Sequence, residues 1–121
     1  MDIRKVAVIG AGVMGAGIAA HVTNAGIPVV LLDIVPPNAS DRSVVAKMAI
    51  EKMLKTEPAP FMHPKNAKLI TPGNIEDDLG LLADCDWIIE AVVERLDIKQ
   101  SLYHKLESVR RPDAIVSSNT S

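Results

Sequence analysis

Along the chain, short apolar runs alternate with longer segments in which apolar residues return every three or four positions. Residues 6–9 form an apolar run that stops at Gly10 and predicts a first strand. Met14, Ile18, Val22 and Ala25 then share one face at spacings of four, four and three, which predicts a helix to Ala25. Asn24-Ala25-Gly26 is its stop, with Gly26 available for a left-handed cap. Residues 29–32 predict a second strand ending at Asp33, with Pro28 at its start where no ladder donor is lost. Residues 38–40 offer N-caps for a second helix of about fifteen residues. Its apolar stripe is Val45, Ala46, Ala49, Ile50 and Met53, opposite Lys47, Glu51 and Lys55.

Pro58, Pro60 and Pro64 exclude regular structure from 57–66. A short strand is expected at 68–71, closed by a Pro72-Gly73 turn, and a short helix at 77–83. Residues 87–93 carry the strongest strand signal. Ile98, Leu102, Leu106 and Val109 mark one buried face of a further helix, with Lys99, Gln100 and Glu107 outside it. Pro112-Asp113 breaks the chain before a last strand at 114–117. Five strands alternating with helices in this order predict an α/β fold, a doubly wound and mainly parallel sheet with right-handed crossovers.

A length of 121 residues fits one domain, and 48% hydrophobic with 23% charged residues excludes a disordered tail or a fibrous repeat. The aromatic residues are only Phe61, Trp87 and Tyr103, so the core is aliphatic, as in a parallel sheet buried on both faces. Thirteen Lys and Arg against fifteen Asp and Glu give a net charge of −2, which does not suit nucleic acid or an anionic membrane as partner. The lone Cys85 excludes an internal disulfide or a cysteine zinc site, and it reads as a small buried residue. No apolar run approaches the roughly 20 residues of a membrane span, and the N-terminus does not resemble a signal peptide. A cytoplasmic location is expected.

The chemistry concentrates at Gly10-Ala11-Gly12-Val13-Met14-Gly15, a GxGxxG placed between a predicted strand and a predicted helix. Glycine clusters also make plain turns, but here the context matches the mechanism of a Rossmann-type dinucleotide site. Gly10 permits the tight turn, Gly12 lets a pyrophosphate approach the backbone, and Gly15 lets the helix pack against the sheet. The diphosphate then rests on the unpaired N–H groups and positive dipole end of the helix. Asp33 closes the second strand 18 residues beyond Gly15, where an acid takes the hydroxyls of an adenosine ribose. No Arg follows it directly, so NAD is expected rather than NADP; an ordinary capping Asp is the alternative, and FAD enzymes share the fingerprint.

Two further segments fall at carboxyl ends of predicted strands, where open α/β sheets bind ligands. One is Glu90-Ala91-Val92-Val93-Glu94, followed by Lys99 in the first turn of the next helix; the other is Ser117-Ser118-Asn119-Thr120-Ser121. Each also has a plain reading as a helix-start carboxylate, a solvated lysine or a polar turn. His21, His63 and His104 lie at no such strand end, so none is a natural general base for hydride chemistry, and no cluster has metal-ligand spacing.

Taken in order, residues 8–19 with the glycine motif and Met14, then Asp33, then Glu-Ala-Val-Val-Glu at 90–94, then Ser-Asn-Thr-Ser at 118–121, resemble the NAD-binding domain of L-3-hydroxyacyl-CoA dehydrogenases over nearly the whole chain. The longer proline-rich stretch at 57–73 looks more like the large bacterial fatty-oxidation proteins with a fused enoyl-CoA hydratase region. The resemblance implies that Met14 lies against the pyrophosphate with the glycines and that Asp33 holds the adenosine ribose. It implies that Ala91, Val92, Val93 and Glu94 line the cofactor cleft, with Glu94 and Lys99 at the nicotinamide ribose. Asn119 would stand beside the nicotinamide, and Ser121 would touch both the nicotinamide and the 3-hydroxyl of the substrate.

The family's catalytic base is a His downstream of this motif, oriented by a Glu further on. Residues 1–121 are therefore expected to be the N-terminal part of the NAD-binding domain of a larger enzyme, without the catalytic His and Glu and without the acyl-CoA-facing helical domain. Such a piece would bind NAD and lack the chemistry. Its last strand would be an open edge, predicting self-association, such as a homo-oligomer, or modest stability. The competing readings are a related dehydrogenase of another hydroxy acid, such as a gulonate-type enzyme, and a non-catalytic NAD-sensing or assembly module.

Overall fold

The computed structural model describes residues 3–56, 60, 62–91 and 96–118. Five parallel strands form one sheet: β1 (Val6–Ile9), β2 (Val29–Asp33), β3 (Ile70–Asn74), β4 (Trp87–Glu90) and β5 (Ile115–Ser118). Their order is β3-β2-β1-β4-β5, the doubly wound Rossmann arrangement predicted from the alternation of elements. Helices α1 (Val13–Asn24) and α2 (Val44–Lys55) cover one face, packing on Val6, Val8, Val29 and Leu31. Helix α3 (Leu96–Val109) and a 3-10 segment at Leu79–Asp84 cover the other, on Ala7, Ile9, Leu32 and Ile88. The strands are thus buried on both sides by aliphatic side chains. Each fully buried Ile or Leu contributes about 1.5–3 kcal/mol by leaving water.

Several elements differ from their sequence-based expectation. The face of α1 turned to the sheet is Gly15, Ala16, Ala19, Ala20 and Thr23, whereas Met14 is 53% exposed and Ala25 is also exposed. Ile18 and Val22 only flank the core. The reason is distance: a helix that starts in contact with β1 has room beneath it only for small side chains. Helix α2 keeps its predicted stripe but starts later, with Ser43 as N-cap, because Asp41 Oδ1 accepts the Ser43 N–H (2.9 Å) and Asn38 takes a left-handed φ of 60°. Strand β3 runs through Pro72 and Gly73 instead of turning there. As the outer strand it tolerates the proline, and a Cβ at Gly73 would lie 2.7 Å from Asp78 Oδ2. Lys68 belongs to a 3-10 segment, Pro64–Leu69, and the helix expected at 77–83 is the 3-10 turn at Leu79–Asp84. Strand β4 ends at Glu90, short of the expected 93, and β5 lies one residue later than expected.

The turn at Gly26 forms as predicted, with a φ of 79°. Leu102 and Leu106 are buried on α3, with Val109 packed at their edge. Cys85 is buried just before β4, and burial pushes its thiol up to about 11.

At the amino edge of the sheet, Asp86 fastens three segments. Its Oδ2 accepts the N–H groups of Arg4 (2.7 Å) and Lys5 (3.0 Å), and the Arg111 guanidinium donates to Oδ1. The Arg4 N–H first, and then Arg111, hold this carboxyl below its ordinary value. The stabilisation is therefore complete above the unfolded pKa of about 3.9 and is lost as pH falls through the lower folded value. Melting temperatures recorded from pH 6 downward should drop below about pH 4, and Asp86→Asn should flatten that decline. An Asp86→Asn chain that loses stability in acid as steeply as the unaltered one would remove Asp86 from this account.

Candidate functional site

The chain runs from β1 to β2 and β3 on one side of the sheet and returns as β4 and β5 on the other. A crevice therefore opens at the carboxyl ends of β1 and β4, the position at which doubly wound sheets bind ligands. The glycine turn leaves β1 at this point. Gly10 has a φ of 113°, which favours glycine, and its N–H donates to the Leu32 carbonyl (2.7 Å). Gly12 is the N-cap of α1, and no side chain caps the helix. The first helical bond runs from the Ala16 N–H to the Gly12 carbonyl (2.8 Å), so the N–H groups before it have no partner within the helix.

Gly12 and Gly15 serve different ends. A Cβ at Gly12 would meet nothing within 4 Å, which leaves the backbone open to a ligand. A Cβ at Gly15 would lie 1.7 Å from the Gly10 carbonyl oxygen and 3.5 Å from the Ala91 Cβ. Gly15 thus lets the helix touch the strand, and it brings Ala91 against the turn. Val13 and Met14 are both exposed at the start of α1, and a groove of about 430 Å³ continues from Gly12 and Val13 toward Lys52 and Pro60.

Asp33 stands beside the turn. Its Oδ2 accepts the Ala11 N–H (2.6 Å) and its Oδ1 the Ile34 N–H (2.6 Å). It caps no helix, since α2 starts eleven residues later at Val44. The next strand ends on Asn74, in register with Asp33, and the Ile75 N–H donates to the Asp33 carbonyl (2.9 Å). Beyond it, Arg42 first and Asn74 second hold the Asp77 carboxyl below its ordinary value.

Gly10, Gly12, Val13, Met14, Gly15, Asp33 and Ala91 therefore come together around one opening. Lys99 lies in the first turn of α3, as the sequence predicts. Val92, Val93, Glu94, Asn119 and Ser121 lie outside the described residues. Glu90 opens the segment already marked at the end of the fourth strand, whereas Asn74 was not among the candidates. Glu90 is fully buried at the end of β4, in register with Ile9 of β1 and Ser118 of β5, beside the crevice. Its signal in the sequence is a carboxylate inside the strongest strand pattern. Asn74 had no such signal, because Pro72-Gly73 before it reads as a turn that closes the strand.

His21 is exposed in the last turn of α1, His104 is exposed on α3, and His63 caps the 3-10 segment by accepting the Lys65 N–H (3.2 Å). All three are away from the glycine turn. No described helix is long and apolar enough to cross a membrane.

Residues 5–121 match the family described as 3-hydroxyacyl-CoA dehydrogenase, NAD binding domain. The chain belongs to that family. NAD is accordingly the cofactor of this domain, and the open cradle at Gly12 with Asp33 beside it fits a dinucleotide. A probable 3-hydroxyacyl-CoA dehydrogenase of Deinococcus radiodurans is 56% identical over 121 residues, covering 100% of this chain and 35% of that protein. A putative fatty acid oxidation complex trifunctional enzyme of Rickettsia felis is 48% identical over 120 residues, covering 99% of this chain and 17% of that protein. Among solved structures, 3-hydroxybutyryl-CoA dehydrogenase of Escherichia coli superposes with a TM-score of 0.77 at 30% identity, over 100% of this chain and 25% of that one. The chain thus spans about a third or less of these relatives.

Proposed function

We propose that this chain is the NAD-binding portion of an enzyme that oxidises L-3-hydroxyacyl-CoA to 3-oxoacyl-CoA in fatty-acid β-oxidation in the cytoplasm, and that the 121 residues alone bind NAD without turning substrate over. The observation that carries this reading is the Asp33 carboxylate held against the glycine turn by the Ala11 N–H, in a chain of this family. When bound, NAD supplies the hydride acceptor. Gly10, Gly12 and Gly15 with Val13 and Met14 take the pyrophosphate at the α1 N-terminus, and Asp33 takes the adenosine ribose. Ala91, Val92, Val93 and Glu94 line the nicotinamide side, with Lys99 at the nicotinamide ribose. Asn119 orients the nicotinamide, and Ser121 bridges it to the substrate hydroxyl. Oxidation of a secondary alcohol also needs a base for the hydroxyl proton, and the three histidines stand away from this opening.

Calorimetric titration with NAD and NADP tests the reading. Saturable NAD binding is expected, with NADP weaker by about tenfold or more, because the Asp33 carboxylate repels a 2′-phosphate. No NADH should form when 3-hydroxybutyryl-CoA is added. Equal binding of the two cofactors, or NADH production by the chain itself, would contradict it.

Strand β5 is the outer strand of the described sheet, with Ile115 43% and Val116 37% exposed on its two faces. An apolar edge of this kind pairs with another copy. Sedimentation velocity should show a concentration-dependent dimer that Val116→Lys shifts toward monomer. A monomer at every concentration would count against edge pairing.

A further inference from the structure

We propose that Asn74 is a positioning residue for the adenosine end of the NAD site, and that through Asp77 and Arg42 it contributes to the preference for NAD over NADP. The inference rests on the reading of Asp33 as the ribose acid. Asn74 is 2% exposed and lies beside Asp33 in the β2–β3 register. All the hydrogen-bonding capacity of its amide is used. Oδ1 accepts the N–H groups of Glu76 (3.0 Å) and Asp77 (2.7 Å), while Nδ2 donates to Ser43 Oγ (3.1 Å) and Asp77 Oδ2 (3.1 Å). The Asn74 backbone N–H in turn donates to Asp78 Oδ2 (2.8 Å).

The bond to Ser43 matters most for the site. Residues 34–43 leave the sheet at Asp33 and return as the start of α2, and Ser43 is the N-cap of that helix. One end of the segment is therefore fixed by the sheet and the other by Asn74. A dinucleotide whose ribose is held at Asp33 has its adenine against this segment. The bond to Asp77 acts on charge. Asp77 grips Arg42 in a two-point contact, Nε to Oδ2 at 2.7 Å and Nη2 to Oδ1 at 3.3 Å. Arg42 is the one Arg between β2 and β3, and hence the guanidinium able to answer a 2′-phosphate at this corner. Neutralised by Asp77, it leaves Asp33 to set the local sign.

The test is the ratio of the Kd for NADP to the Kd for NAD, which a change in the folded fraction does not move. In Asn74→Ala, the Kd for NAD should rise about tenfold and the ratio should fall about fivefold or more. Ser43→Ala cuts only one of the bonds and should raise the Kd for NAD by a smaller factor. Asp77→Asn should lower the ratio with little change in NAD affinity, and adding Arg42→Ala should restore it. Asp86→Ala, which loosens the opposite edge of the sheet, should lower the melting temperature and leave the ratio unchanged. An unchanged ratio in both Asn74→Ala and Asp77→Asn overturns the proposal. If Asn74→Ala does not fold, Asp77→Asn decides it by the ratio and Ser43→Ala by the Kd for NAD. An unaltered chain that binds no NAD would instead bring down the reading of Asp33, and this proposal with it.

Discussion

Gly15→Ala is expected to unfold much of the chain, not merely to weaken its ligand. The added Cβ would sit 1.7 Å from the Gly10 carbonyl oxygen and 2.9 Å from its carbon, and both are backbone atoms of the turn. No rotamer relieves this contact. Helix α1 would have to lift from β1, separating Ala16, Ala19 and Ala20 from the core they fill. The cost should reach about 3 kcal/mol or more, a large part of the roughly 5–15 kcal/mol available to a domain. Gly12→Ala is the counterpart. Its Cβ meets nothing within 4 Å, so the chain should stay within about 1 kcal/mol of its original stability and lose NAD binding. Urea denaturation and NAD titration of both variants check the pair. A Gly15→Ala chain as stable as the original would show that the contact between helix and strand is not what this glycine provides.

The same contact explains which parts of the fold were legible in the sequence. The strands at β1 and β2, the glycine turn and the position of Asp33 follow from local chemistry, and each lies where the pattern places it. The inward face of α1 was not legible. Met14, Ile18 and Val22 outrank alanine on any hydrophobic scale, yet the close approach at Gly15 admits only small side chains beneath the helix. The continuation of strand β3 beyond Thr71 was hidden for a similar reason. Pro72-Gly73 reads as a turn, but its place as the outer strand excuses the proline, and the Asp78 carboxylate demands the glycine. Both are tertiary facts that no local window contains. Asn74 was missed along with the end of that strand, so the polar corner beside Asp33 emerged only from the structure.

The side of the opening that holds Asp33 is built from β1, α1, β2 and β3, tied together by hydrogen bonds at Gly10, Ala11, Asp33 and Asn74. Removing the acid at its centre should therefore act on the cofactor more than on the fold. Asp33 is half-buried and Ile34 is exposed, so water can meet the Ile34 N–H once the carboxylate is gone, and only the buried Ala11 N–H loses its partner. Asp33→Ala should accordingly melt within a few degrees of the unaltered chain. Hydrogen bonds from a carboxylate to ribose hydroxyls are worth about 1.5–3 kcal/mol, so NAD affinity should fall about ten- to a hundredfold. NADP should lose far less, because the same substitution removes the charge that opposes its 2′-phosphate. The two cofactors should then bind with similar affinity. If Asp33→Ala keeps both its NAD affinity and its preference, the carboxylate serves only the Ala11 turn, and the ribose is held elsewhere.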